Sequence, residues 1–149
     1  MKSAIAIALT LAGFAWLDSA HAQTSTRVWS LTQEGVSLLE PARPPMVTVA
    51  LPGWHWAGAP YGAAPVLARG PLGEVIVTSD VVPVLWKIDP VTLAVSVHAL
   101  TLDADADKDV GFSALAYSRE HDAFVGVSGT LGSVWMIDRS LTRARKVLQ

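Results

Sequence analysis

Short apolar runs broken by glycine, proline and charged residues recur along the chain, and helical spacing does not. In "GFSALAYS" (111–118), "AFVGVSG" (123–129), "SVWMID" (133–138) and "ARKVLQ" (144–149), β-formers gather over a few positions, separated by "REHD", "TLG" and "RSLTR". Runs of this length and composition between turn-formers predict four antiparallel strands joined by tight turns. An earlier set follows the same plan: "APVLARG" (64–70), "EVIVTS" (74–79), "VLWKID" (84–89) and "AVSVHALTL" (94–102), with Gly73, Pro83 and Pro90 as breakers. Upstream, "RVWSLT" (27–32), "VSLLE" and "MVTVALP" predict further extended segments around the Pro-rich "PARPP". No capped helical period is found between residues 23 and 149, so the fold class is predicted to be all-β.

The two sets are copies. Ser79, Trp86, Ile88 and Asp89 return as Ser128, Trp135, Ile137 and Asp138 at a constant offset of 49 residues, and Val75, Ile76 and Leu85 stand opposite Phe124, Val125 and Val134. Self-similarity at such a period marks repeat architectures, in which one supersecondary unit buries its face against the next. An indole fills the space between stacked sheets while its N–H reaches a carbonyl at the layer's edge. The aspartate after isoleucine suits a turn, because its carboxylate accepts from backbone N–H groups a few residues on. Trp86, Trp135, Asp89 and Asp138 are therefore expected to be scaffold. A single domain over 23–149 is expected, made of a partial repeat (25–58, with Trp29 on a third strand), a repeat at 60–102 and another at 111–149.

Four strands per unit, the 49-residue period and the Trp-x-Ile-Asp third strand resemble the blades of β-propellers. The phrase "LWKIDP" after an apolar strand and a serine is similar to repeats of bacterial exported proteins of the quinoprotein-like, NHL-like and YVTN-like kinds. The resemblance covers about residues 60–149, with a weaker echo from Arg27, and it implies a β-propeller-like architecture without implying an activity. Closed propellers use about four to eight blades, whereas this chain supplies about two and a half. The uncovered faces and edges then require association into a homo-oligomer, a protein partner, or packing as a small twisted β-sandwich.

The first 22 residues stand apart. Lys2, the apolar run 4–17 and Ala20-His21-Ala22 match a signal peptide cleaved before Gln23, and the run, ended by Asp18, is shorter than a membrane-spanning helix requires. This predicts a periplasmic or secreted protein with no stable membrane insertion after cleavage. The net charge of −2, without a basic run, argues against a nucleic-acid partner. The cations Arg139, Arg143, Arg145 and Lys146 read as the solvated side of a terminal strand. Cysteine is absent, which excludes disulfides, thiolate metal sites and covalently attached c-type haem.

Candidate chemistry is confined to two loops that strand parity places on one side of the molecule. Asp103, Asp105, Asp107 and Asp109 alternate as in the first half of Ca²⁺ loops, although Lys108 replaces the turn glycine and Ala114 the closing glutamate of an EF-hand. The expectation is a looser Ca²⁺ site or a solvated acidic loop. Trp54, His55, Trp56 and Tyr61, in a segment rich in Pro and Gly, are candidates for stacking on a ligand or anchoring a partner, or else for capping a sheet. G-x-S-x-G, H-E-x-x-H, P-loop and G-x-G-x-x-G motifs are all missing, so no catalytic residue is assigned and binding is favoured over catalysis. The leading expectation is an exported binding or accessory module using this loop face. The alternatives are a small metal-dependent enzyme completed by oligomerisation and a remnant of a longer propeller protein.

Overall fold

Every regular element in the computed structural model, which describes residues 26–41, 45–57 and 64–149, is a β-strand. Residues 1–22, expected from the sequence to be a signal peptide, and Tyr61 lie outside the described residues. Strands β1 (Val28–Thr32), β2 (Gly35–Leu39) and β3 (Val47–Val49) form a three-stranded antiparallel sheet. A four-stranded antiparallel meander follows: β4 (Leu67–Arg69), β5 (Val75–Thr78), β6 (Val84–Ile88) and β7 (Val95–Ala99). The third sheet has the order β8-β12-β11-β10-β9, built from β8 (Thr101–Leu102), β9 (Ala114–Ser118), β10 (Ala123–Ser128), β11 (Ser133–Asp138) and β12 (Arg143–Leu148). None of the three sheets closes into a barrel. The fold is all-β, as the strand pattern predicts.

Alternation along β5 decides how the sheets layer. Val75 and Val77 face the same way as Trp86 and Ile88 and share a core with Val36, Val49 and Trp54 of the first sheet and its following loop. Ile76 and Leu85 point the other way and meet Phe112, Phe124, Trp135 and Ile137 of the third sheet. Successive strand residues project to opposite faces, so a strand apolar at every position belongs between two layers. The second sheet is that middle layer. The two repeated tryptophans fill corresponding places, because Trp86 packs toward the first sheet and Trp135 toward the second.

Two expectations are revised. The stretch 94–102 is not one strand: Leu100 N–H donates to Pro83 O while Thr101 N–H donates to Thr142 O, so the chain leaves the second sheet after Ala99 and joins the third. There β8 pairs parallel with β12, the only non-antiparallel pair among the described strands, and covers that sheet's outer edge. Trp29 lies on the first strand of its sheet, not the third. The 49-residue offset explains why: Ser30, Leu39, Glu40 and Pro41 stand that far before Ser79, Ile88, Asp89 and Pro90. Thus β1 matches β5 and β2 matches β6, and Ser37 occupies the place of Trp86 and Trp135. Gly35 permits the hairpin between β1 and β2, since its φ of 138° is left to glycine and a Cβ there would lie 2.5 Å from Val49 O.

Candidate functional site

The aromatic loop after β3 is built into the scaffold. Trp54 is buried, and its indole N–H donates to Thr78 O at 3.0 Å, at the end of β5. Trp86 N–H donates in turn to Pro52 O at 2.7 Å, so loop and middle sheet are pinned to each other by reciprocal indole bonds. Trp56 meets Trp54 edge to face at 6.2 Å and is half-buried, while His55 is exposed. Of the candidate anchors described, Trp54 is a cap on the core, Trp56 packs half-buried against it, and His55 is left at the surface.

The acidic loop does reach the same end of the molecule. It runs from β8 to Phe112, whose N–H donates to Ser79 O at 2.7 Å just beyond β5. Its carboxylates diverge in role. Asp103 accepts from Lys146 N–H at 2.9 Å, and Asp105 is paired with Lys108 Nζ at 2.9 Å and Lys146 Nζ at 2.5 Å. The hydrogen bonds from Lys146 and then Lys108 hold the Asp105 carboxyl below its usual range. Asp107 and Asp109 are exposed. Among the described residues no group of three or more His, Asp or Glu side chains is gathered for a metal ion. The alternating aspartates are thus spent on lysines and solvent, since odd-numbered positions share a face only in an extended strand and this segment turns.

Where the acidic loop meets β5, Asp80 is 4% exposed, and neither of its carboxylate oxygens has a hydrogen-bond partner outside its own residue. Burial raises its pKa, opposed in part by its own backbone N–H. Gly111 makes this closeness feasible, because a Cβ there would lie 1.9 Å from the Asp80 carbonyl carbon. Ser79 Oγ accepts from Val81 and Val82 N–H at 3.1 and 3.2 Å, while its counterpart Ser128 has a buried hydroxyl without a partner.

Among the described residues, no other sheet covers the outer face of the third sheet. Val125, Val127, Val134 and Met136 lie together there in cross-strand register, with Arg145 opposite Met136. All four apolar residues are partly exposed. By the 49-residue offset they stand where Ile76, Thr78, Leu85 and Lys87 stand in the middle sheet, and that face is covered by the third sheet. A groove of about 520 Å³ crosses one end of the face, with Ala123, Met136 and Leu102 among its apolar walls and Arg143 and Arg145 at its rim. Its three acids are engaged: Asp122 pairs with Arg139, Asp103 accepts from Lys146 N–H at 2.9 Å, and Asp138 accepts from the Thr142 and Arg143 N–H groups of its own turn at 2.8 and 2.6 Å. Arg143 and Arg145 form no ion pair among the described residues.

Sequence reading passed over this surface because the arginines resemble an ordinary solvated strand. The signal lay in the repeat, where Arg143 and Arg145 replace Ala94 and Ser96 while Ala144 between them stays apolar like its counterpart Val95. No protein-family model, no curated protein and no solved structure matches this chain.

Proposed function

We propose that this chain is an exported β-propeller-like binding module whose three sheets act as successive blades, and that it docks a protein partner on the outer face of its third sheet. The observation that carries the reading is the partly exposed apolar set Val125, Val127, Val134 and Met136, of which the first three have counterparts, Ile76, Thr78 and Leu85, that the fold itself buries one layer earlier. A stacked-sheet protein buries each such face against the next unit, and an apolar face left open marks an interaction surface. The repeated tryptophans, one at each internal interface, support the blade reading. The segment with Lys2 and Ala20-His21-Ala22 supports export. Binding is favoured over catalysis because Asp105, central to the acidic loop, is neutralised by two lysines.

A photo-crosslinking residue at position 134, compared with one at position 48 on the opposite outer face, tests this in the native host. The expected result is one discrete adduct from position 134, identified by mass as another protein, lost with Val125→Asp and not formed from position 48. Adducts of equal yield from both faces, or none, would overturn it.

A further inference from the structure

The groove and the repeat together specify the chemistry of that partner, an inference that rests on the docking reading above. At both internal interfaces the covering face and its neighbour are joined by an indole from the third strand of a sheet, Trp86 in one case and Trp135 in the other. The first sheet has the buried Ser37 at that place, and its outer face carries Ser30 and Thr48 in register with it, next to the exposed pair Val28 and Leu39. A second copy stacked head to tail would therefore offer hydroxyls where an indole belongs. Two copies stacked with their third sheets facing and β12 against β12 would bring Arg143 and Arg145 against the same pair, and like charges across an interface oppose association.

On the middle sheet, the positions equivalent to Arg143 and Arg145 are Ala94 and Ser96, which stay exposed with the third sheet in place. The two arginines thus stand at the rim of the docking face, beside a groove floored by Met136 and Ala123. Guanidinium groups without a carboxylate partner, next to apolar wall, fit an acidic group carried close to an aromatic one.

We infer that the groove and the adjoining face receive an acidic, indole-bearing strand of another protein, its carboxylates meeting Arg143 and Arg145 and its indole covering Val134 and Met136. The partner is recognised by aromatic burial and by charge at once, so association with it weakens as salt rises.

Two small probes that share an indole and differ in charge separate these elements: indole-3-acetate and tryptamine, titrated into the full chain while the methyl signals of Val125, Val134 and Met136 are followed by NMR. The expected result is that both shift these signals, with indole-3-acetate binding roughly threefold more tightly, as an exposed charge pair allows. Arg143→Gln with Arg145→Gln should remove that preference and leave the methyl shifts. Equal affinity of the two probes for the unaltered chain would overturn the acidic part while the docking reading stands. If neither probe moves these methyls, the indole slot is overturned, whereas the docking reading is decided separately by the crosslink from position 134. A chain found by light scattering to self-associate through this face, with the association lost in Val134→Asp, would overturn the choice of a different protein as partner.

Discussion

Asp80 and Asp138 show how far two aspartates in one small fold are driven apart by their surroundings. For Asp138, burial pushes the pKa upward, but bonds from Ser140, from Arg143 N–H and from Thr142 outweigh it and hold the carboxyl at about 2. A folded-state pKa below the unfolded one contributes stability above the ordinary value of 3.8, lost as the pH falls through 2. Discounted for solvent screening at this largely exposed turn, the contribution is about 1 kcal/mol. Asp80 has the opposite sign: its raised pKa favours the folded state below 3.8, and that advantage is lost as the pH rises through the folded value. Asp80→Asn is therefore expected to raise the melting temperature at pH 7, with the gain vanishing on acidification below the ordinary carboxylate value; calorimetry across pH checks it, and a loss of stability at pH 7 would mean the ionised carboxylate has a stabilising role. The turn role of Asp89 and Asp138 was legible in the sequence. Asp89 accepts from Val91 and Thr92 N–H at 2.8 Å each, two and three residues on. The burial of Asp80 was not legible, because it depends on Gly111, 31 residues away, closing over it.

At the scale of elements, strands β5, β6 and β9 to β12 fall where the apolar runs and breakers place them, to within a few residues. Local pattern determines such elements because each run pairs with its immediate neighbour through a short turn. The division after Ala99 escapes that logic. Nothing between residues 94 and 102 marks where one strand ends, and the break is set by Pro83 O on one side and Thr142 O on the other. The aromatic loop is likewise an element whose role depends on what it touches. Because Trp54 fills the first core and satisfies Thr78 O, Trp54→Ala is expected to cost about 3 kcal/mol in denaturant titrations. A change below about 0.5 kcal/mol, within the range usual for surface substitutions, would make Trp54 an exposed binding residue instead.

For the molecule as a whole, the middle sheet shares its two faces between two cores, so the layers depend on each other for burial. Ile76→Ala and Val77→Ala, neighbours in sequence that point into different cores, should each lower the same single unfolding transition. Two separable transitions in a calorimetric scan, each responding to only one of the substitutions, would show that the cores are independent. Repetition at 49 residues, strand composition and lack of helical period by themselves determined that this protein is all-β and that Trp86, Trp135, Asp89 and Asp138 are scaffold, because strand patterning and turn chemistry are local. Only the tertiary structure decided which apolar face is left uncovered, that Trp54 is core, that Asp105 is spent on Lys108 and Lys146, and that Arg143 and Arg145 rim a groove. Burial and pairing of this kind depend on which layers meet, and residues distant in sequence supply the atoms that meet.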